Sequence, residues 1–374
     1  MKKALLSLLK PFALTLVILF VGWLGSVGVL DPVDGFLTDQ LWKISWKMER
    51  WRSPAFERPE QDPGRARIFA FPIDAMSIRL FAREGVSWPF PRTIYAEALR
   101  QLDKLGISAL GYDLYFSRKD QAPGLAEFQA ALGSSSIRVV LACMIEDPGS
   151  SLDEEDQKEA VVENDAEEEY SFQKNQQKIS LPHPDLLKSA AGFGLINLDR
   201  KINSDQIIRR HPIAFPVNGQ WNSGLGLATF LAWKKQTPDF LLQPFGLKYS
   251  ADPPIPLEMV ASGSGSFLNT AWAVSPRWRS SSRNLEVDSG CGEYFFSNFY
   301  NLVRGNVTAK AHSTGRIEQL RGAMAIIGVS SDFLGDTIAV PGNSFAAGLV
   351  LHATMADCLS GRGFMARLDQ GNFA

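Results

Sequence analysis

Four aspartates, a histidine and a proline-rich turn are the features of this 374-residue chain whose residue types and spacing could support binding. Asp74 and Asp113 end two strand-like apolar runs, and Asp332 follows a third. Ligands of open parallel sheets bind beyond the carboxyl ends of the strands, so these carboxylates converge if the three strands are neighbours. The candidate ligand-binding residues are Asp74, Trp88, Arg92, Asp113, Asp332, Asp336 and His352.

Three interpretations of this set are open. Two or three carboxylates with His352 could hold a divalent metal. They could instead form ion pairs with Arg92, which follows a turn made rigid by Pro89 and Pro91. They could also be structural, since carboxylates cap helices and tie down loops. We favour the structural interpretation and expect no metal, no cofactor and no catalytic residue.

The motifs of common hydrolases are missing from the sequence. There is no G-x-S-x-G nucleophile turn and no H-E-x-x-H metal motif. The three cysteines have no C-x-x-C spacing, and four histidines are too few to indicate a histidine-rich metal site. We therefore expect a protein that is not an enzyme, with a metal-dependent hydrolase as the weakest alternative.

Composition excludes one class of partner. The net charge is −2 and the sequence pI is about 6.2, so the chain lacks the basic surface that nucleic-acid binding requires. Hydrophobic residues make up 45% and charged residues 21%, which is typical of a globular protein.

The N-terminus has the pattern of a membrane anchor. Lys2, Lys3 and Lys10 precede residues 11–30, which carry no charge, and Asp31 follows directly. About 20 apolar residues cross a bilayer as a helix, and flanking lysines keep their side in the cytoplasm. We predict an uncleaved signal anchor, with a cleaved signal peptide as the alternative. The body of the chain would then lie outside the cytoplasm, on a single-pass inner-membrane protein.

The domain organisation follows from this anchor. Beyond it, Leu37, Leu41, Ile44 and Met48 recur at helical spacing, which predicts a juxtamembrane helix. The predicted segments are a cytoplasmic tail at 1–10, a transmembrane anchor at 11–30, a juxtamembrane helix and linker at 31–63, one extracytoplasmic domain at 64–363 and a tail at 364–374. Within that domain, residues 146–178 are strongly acidic and predict a disordered insertion.

Alternating apolar and amphipathic patterns predict an α/β fold. Residues 67–74 and 108–116 indicate strands, and a helix between them has Thr93 as its expected N-cap and Gly106 at its end. A strand–helix–strand unit of this length predicts a right-handed crossover and parallel strands. The fold class is therefore a mixed, largely parallel central sheet flanked by helices and preceded by one transmembrane helix.

Further elements follow along the chain. Strands are predicted at 138–145, 192–198 and 322–329, helices at 125–132, 224–236 and 346–359, and a polar loop at 330–341. Asn218-Gly219 between two apolar runs predicts a two-residue hairpin. Residues 294–300 indicate an aromatic strand or loop. Residues 237–293, rich in Pro, Gly and Ser, give no firm prediction.

Seven short motifs in this order resemble a known family. They are I-D-A-M-S at 73–77, W-P-F-P-R at 88–92, G-Y-D-L-Y-F-S at 111–117, G-L-I-N-L-D at 194–199, I-R-R-H-P at 208–212, I-I-G-V-S-S-D-F-L-G-D at 326–336 and P-G-N-S-F-A-A-G-L-V-L-H-A at 341–353. From about residue 36 to 363 the chain resembles the CHASE type 2 family, an extracytoplasmic sensory domain of bacterial signalling proteins.

The resemblance implies a sensor placed outside the membrane after a first transmembrane helix. Such proteins usually continue through further membrane helices into an output domain, whereas this sequence shows no second apolar span. We therefore expect a ligand- or protein-binding sensor that acts through a membrane or periplasmic partner. A homodimer through residues 37–48 is a further hypothesis. The alternative is a structural or accessory subunit of a membrane complex, without a ligand of its own.

Overall fold

The computed structural model describes residues 67–117, 122–145, 179–197, 208, 211–217, 220–236, 241–243, 246–248, 258–261, 270–274, 297–313, 317–330, 337–340 and 343–362. The predicted anchor, the juxtamembrane helix, the acidic insertion and the C-terminal tail lie outside these residues, and so do Asp332 and Asp336. Among the described helices, none is both long enough and apolar enough to cross a bilayer. The anchor therefore stays a prediction.

The described elements alternate between strands and helices through most of the chain. In chain order they are β1 (Ile68–Ile73), α1 (Ala75–Arg83), α2 (Arg92–Lys104), β2 (Ala109–Asp113), α3 (Leu125–Ser134), β3 (Arg138–Ile145), β4 (Ile179–Ser180), α4 (Pro184–Ser189), β5 (Gly192–Leu195), β6 (His211–Val217), β7 (Gln220–Ser223), α5 (Leu225–Trp233), β8 (Leu241–Gln243), β9 (Gly246–Lys248), β10 (Glu258–Ala261), β11 (Thr270–Val274), α6 (Phe299–Val303), α7 (Asn306–Ser313), α8 (Ile317–Leu320), β12 (Met324–Val329), β13 (Thr337–Val340), β14 (Asn343–Ala347) and α9 (Gly348–Asp357). A π-helical turn, Cys358–Arg362, continues α9.

The central sheet is largely parallel, as predicted. Its parallel strands lie in the order β1-β12-β2-β3-β5, and β4 pairs with β3 in the antiparallel sense. Every residue of β1 is buried, which fits the continuous apolar run of a strand covered on both faces. Because β12 lies between β1 and β2, the three strand ends that carry or precede the candidate aspartates are neighbours.

Helices α2, α3 and α6 cover the first face of the sheet. The predicted stripe of α2 is confirmed, since Ile94, Ala98 and Leu102 are buried against this face. Gly106 ends the helix with a φ of 75°, as expected of a residue in the left-handed region. The expected cap is wrong, because the helix already begins at Arg92. Proline before that residue presets the backbone without a side-chain cap.

Helices α5 and α9 cover the second face. Residues 225–232 of α5, within the helix predicted at 224–236, are all buried. The reason is tertiary, since α5 packs on β2, β3 and β5 and also contacts α9 and β6. A helix enclosed on all sides carries apolar residues all round.

A second, antiparallel sheet contains the predicted hairpin. Its strands lie in the order β10-β11-β6-β7, and Val217 pairs with Gln220 across the two-residue connection. Strands β8 to β11 lie within residues 237–293, for which no firm prediction is made.

Three local predictions were incomplete. Helix α1 follows β1 directly and was not predicted. The expected aromatic strand or loop near residue 300 is instead α6, whose N-cap Asn298 accepts from the Asn301 backbone N–H at 3.0 Å. Part of the expected polar loop at 330–341 is β13, which pairs with β14.

Candidate functional site

The candidate site centres on a buried carboxyl–imidazole pair. Asp113 ends β2 and His352 lies in the middle of α9, and Asp113 Oδ1 is 3.6 Å from His352 Nε2. The Asp113 side chain is 9% exposed and the His352 side chain 5% exposed. The structure thus brings together two predicted candidates from opposite halves of the sequence.

The electrostatics of the pair follow from its burial. Desolvation raises the pKa of Asp113 from 3.8 to about 7, because it disfavours the carboxylate. The same cause lowers the pKa of His352 from 6.5 to about 4, because it disfavours the imidazolium. The distance of 3.6 Å between Asp113 Oδ1 and His352 Nε2 would suit an ion pair of carboxylate and imidazolium. Burial instead favours a protonated, neutral carboxyl group beside a neutral imidazole. Either arrangement has no net charge.

Small residues make room for this pair between the sheet and α9. Gly328 of β12 lies beside Asp113 in the register, and a Cβ there would come within 2.9 Å of the Cβ atoms of Asp113 and Leu349. Two residues further on, the hydroxyl of Ser330 is buried and makes no hydrogen bond within the described part of the chain. Gly328 therefore leaves room for the Asp113 side chain between the sheet and α9.

Asp74 has a structural contact. It is the N-cap of α1, and its side chain accepts a hydrogen bond of 2.6 Å from the backbone N–H of Ser77. The Ser77 hydroxyl in turn accepts from the backbone N–H of Tyr300, at 3.2 Å. Asp74 therefore ties the start of α1 to the sheet edge and, through Ser77, to α6.

The proline-rich turn builds the aromatic core of the first face. Trp88, which precedes a cis peptide bond to Pro89, packs edge-on against Phe90 with ring centroids 5.0 Å apart. Phe90 is fully buried, 4.7 Å from the Phe81 ring and 6.1 Å from the Phe299 ring. The turn thus inserts one aromatic side chain between α1, α2 and α6.

Arg92 lies apart from the candidate carboxylates. Its guanidinium lies over the rings of Phe116 and Tyr95, 4.8 and 5.5 Å from their centroids. Both rings belong to the core of the first face, whereas the Asp113 side chain faces α9 on the second. The pairing of Arg92 with Asp74 or Asp113 that the sequence suggested is therefore not formed.

The predicted set thus divides into separate groups. Asp113 and His352 meet, Asp74, Trp88 and Arg92 make other contacts, and Asp332 and Asp336 lie outside the described residues. Within the described part of the chain, no three Asp, Glu, His or Cys side chains are grouped to hold a metal ion.

One polar residue of the sheet edge was not singled out from the sequence. The Asn197 side chain accepts from the Ile145 backbone N–H at 2.6 Å and donates to the Ile145 carbonyl at 3.0 Å. Its amide therefore extends the pairing between β5 and β3 by one residue. An asparagine directly after an apolar strand was the available signal, because its side chain can replace a backbone partner.

These features define an α/β fold with a largely parallel sheet between two helical layers and a buried polar pair at its carboxyl edge. Comparison with protein families matches residues 13–370 to the CHASE2 domain, so the chain belongs to the CHASE2 family. CHASE2 domains are sensory, and the resemblance seen in the sequence motifs is confirmed. Comparison with curated proteins found no match, and comparison with solved structures found none either.

Proposed function

We propose that the protein is a membrane-anchored sensor whose CHASE2 domain binds a small molecule or a protein outside the cytoplasm and signals through a partner. The observation that carries the proposal is the family match over residues 13–370. The charged start and the uncharged run at 11–30 support the anchor. The domain binds and relays; it does no chemistry of its own.

The carboxyl edge of the central sheet is the ligand-responsive region in this proposal. Asp113 supplies a carboxyl group there, at the end of β2, and His352 of α9 supplies an imidazole beside it. Ligands of such sheets bind beyond the strand ends. The hydroxyl of Ser330, directly after β12, is also buried, so a small polar ligand is the class that fits this edge.

Thermal unfolding of the purified chain tests the response to ligands. The probes are divalent metal ions, nucleotides and small metabolites. A ligand at a hundredfold excess over its Kd stabilises the folded state by about 2.7 kcal/mol, which raises Tm. We expect Asp113→Asn to abolish that rise. Glu127→Gln is the control, because this exposed carboxylate pairs with Arg100 on the other face. If no probe raises Tm, the proposal that the domain senses a small molecule of these classes fails.

Thiol labelling in intact cells tests the orientation. Cys143 and Cys358 are buried, and Met76 is 48% exposed. With Cys291 replaced by serine, Met76→Cys should be labelled by a membrane-impermeant maleimide added outside the inner membrane. The same chain with methionine at position 76 is the control. Labelling of Met76→Cys only after cell lysis would contradict the proposed location.

An accessory subunit of a membrane complex is the second candidate function. It is favoured by one observation: Asp74, Trp88 and Arg92, three of the candidate binding residues, make contacts that hold the fold together. Extraction in a mild detergent followed by mass spectrometry distinguishes the two functions. Co-purification in fixed ratio with other subunits, combined with unchanged Tm for every probe, favours the subunit. A chain that elutes alone argues against it.

A further inference from the structure

The amino edge of the central sheet, where its parallel strands begin, is strongly basic. Six basic side chains lie there, and they come from segments that are far apart in the sequence. They are Arg67, Lys104, Arg138, Lys234, Lys235 and Arg321. Arg67 is half-buried and the other five are exposed. We call these six residues the basic edge.

The start of β12 holds two of the basic segments together. The Arg67 carbonyl accepts from the Met324 backbone N–H at 2.8 Å, directly before β1 pairs with β12. On the other side of β12, the Gly322 backbone N–H donates to the Gly106 carbonyl at 2.7 Å. A Cβ at Gly106 would come within 3.2 Å of Arg321 Cγ, so this side chain lies against the end of α2. Arg67 and Arg321 therefore flank the start of β12.

Strands β2 and β3 continue the basic edge. Lys104 ends α2, and Ser108 directly precedes β2. The Ser108 carbonyl accepts from the Arg138 backbone N–H at 3.1 Å, at the start of β3. Because neighbouring strands lie about 4.8 Å apart, the edge spans about 15 Å from Arg67 to Arg138.

Helix α5 brings two more cations and a tryptophan to the same place. The Trp233 Nε1–H donates to the Gly322 carbonyl at 2.9 Å, so the end of α5 lies beside the start of β12. Lys234 and Lys235 follow directly, and Lys234 Nζ is 5.3 Å from the centroid of the Trp233 ring. A partly exposed tryptophan with a hydrogen-bonded N–H is typical of the interface between lipid and water.

Few carboxylates offset the charge of the basic edge. In the described segments that form it, the acidic residues are Asp103 and Glu318. Glu318 pairs with Arg321 at 3.5 Å, and Asp103 accepts from the Ser136 hydroxyl at 2.5 Å. The other five cations make no ion pair within the described part of the chain. Since the whole chain has a net charge of −2, positive charge is concentrated at this edge.

The two edges of the sheet differ in charge and in what is attached to them. The chain from the predicted anchor enters the fold at Arg67, on the basic edge. The acidic insertion instead follows Ile145, the last residue of β3, at the carboxyl edge. A bilayer surface that contains anionic lipids attracts the first edge and repels the second.

We propose that the basic edge is a docking surface for anionic phospholipid headgroups of the membrane that holds the anchor. The carboxyl edge, with Asp113 and His352, then faces away from the bilayer. The inference rests on the proposed function for the anchor alone. It does not depend on a ligand, so docking can fail while the proposed sensing holds, and the reverse.

Energy transfer to labelled lipid headgroups tests the docking, with the full-length chain in vesicles. In a background with Cys291→Ser, a donor dye on Ser134→Cys lies next to the basic edge, whereas Cys143 and Cys358 are buried. The vesicles are phosphatidylcholine alone or mixed with phosphatidylglycerol, and a trace of headgroups carries the acceptor. We expect strong transfer only with phosphatidylglycerol, and its loss at about 1 M salt, where the Debye length is about 3 Å. Met76→Cys, near the carboxyl edge, should give weak transfer with both lipids.

Two matched double variants test the basic edge itself. Arg138→Gln with Lys235→Gln should lower the ratio of docked to undocked chains about 25-fold, since each basic residue near an anionic surface contributes about fivefold. Arg79→Gln with Arg83→Gln removes the same charge from exposed positions of α1 and should leave the transfer unchanged. Circular dichroism checks that both variants are folded.

Three results overturn the proposal. Equal transfer from Ser134→Cys in the two lipids shows that the edge does not select anionic headgroups, as expected of a solvated surface or of one that binds an acidic protein. Equal losses in the two double variants show that only net charge matters. Stronger transfer from Met76→Cys than from Ser134→Cys shows the opposite orientation. A chain that inserts in neither vesicle contradicts the predicted anchor, and its transfer on added phosphatidylglycerol vesicles still decides the docking.

Discussion

Asp113 and His352 exchange roles as proton carriers when the chain folds. In the unfolded chain the imidazole, with a pKa of 6.5, holds a proton that the carboxyl group, with a pKa of 3.8, has already lost. Burial reverses this order, with a pKa of about 7 for Asp113 and about 4 for His352. Between about pH 4 and 6.5 the pair carries one proton in the folded chain and one in the unfolded chain. The pair therefore adds little pH dependence to the free energy of unfolding, even though each pKa is strongly shifted.

Single substitutions should uncover two pH dependences of opposite sign. In Asp113→Asn only His352 of the pair titrates. Between about pH 4 and 6.5 the unfolded chain binds more protons than the folded chain, so the free energy of unfolding rises with pH. In His352→Gln only Asp113 titrates, and the folded chain binds more protons between pH 3.8 and about 7, so stability falls as pH rises. Each slope should approach about 1.4 kcal/mol per pH unit.

Urea unfolding at a series of pH values measures these slopes. The double variant is the control and should give a nearly flat profile over the same window. Parallel profiles in the two single variants would show that the pair does not share a proton in this way.

Asp74 is expected to act through its hydrogen bond to Ser77. Asp74→Ala removes the N-cap of α1 and should lower the free energy of unfolding by about 1 kcal/mol. Asp74→Ser keeps a side-chain acceptor at the same position and should restore most of that loss. Urea unfolding measures both, and an equal loss in the two variants would contradict a capping role.

Close packing at glycine positions explains how the second helical layer lies on the sheet. A Cβ at Gly111 of β2 would come within 2.5 Å of Thr229 Oγ1, and a Cβ at Gly194 of β5 within 2.6 Å of the Leu225 Cα. Both contacts are with α5. The absence of these Cβ atoms lets α5 approach the sheet closely, which in turn positions α9 and His352 beside it.

Two glycines in β5 form a matched pair that tests this packing. Gly194→Ala places a methyl group against the backbone of α5, and the resulting overpacking should cost about 1–3 kcal/mol. Gly192→Ala is made in the same strand, where a Cβ meets no atom within 4 Å, and should leave stability unchanged or slightly raised. Urea midpoints compare the two. If both variants lose the same stability, the cost comes from the strand and not from contact with α5.

The two helical layers and the central sheet form one core unit in the described part of the chain. Helix α5 contacts strands of both sheets, and α9 contacts α5, β1 and β12. Because the same helices bury residues from β1 to the π-helical turn, disruption of one layer exposes the others. We therefore expect this part of the chain to unfold cooperatively.

The native thiols report on this cooperativity. Cys143 lies in β3 and Cys358 follows α9, and both are buried. With Cys291→Ser, thiol labelling during urea unfolding should expose Cys143 and Cys358 at the same midpoint. Met76→Cys, at an exposed position, is the control and should react without urea. Separate midpoints for the two native thiols would show that α9 unfolds independently of the sheet.

Strong local sequence patterns predicted many of the strands and helices. The strands at β1, β2, β3 and β12, helix α2 and the hairpin between β6 and β7 were all recognisable, because buried parallel strands are continuously apolar and helices repeat at 3.6 residues. Helix α1 was not recognised, since it follows β1 without a turn and its cap, Asp74, resembled a strand-end ligand.

The sequence by itself determined the family, the parallel sheet and the identity of Asp113 and His352 as candidates, because these depend on residue type and short-range spacing. Only the tertiary structure decided that Asp113 faces His352 and that Arg92 stacks on aromatic rings of the opposite face. The physical reason is strand order. β12 comes from near the end of the chain and pairs between β1 and β2, and this long-range pairing determines which side chains meet at the edge of the sheet.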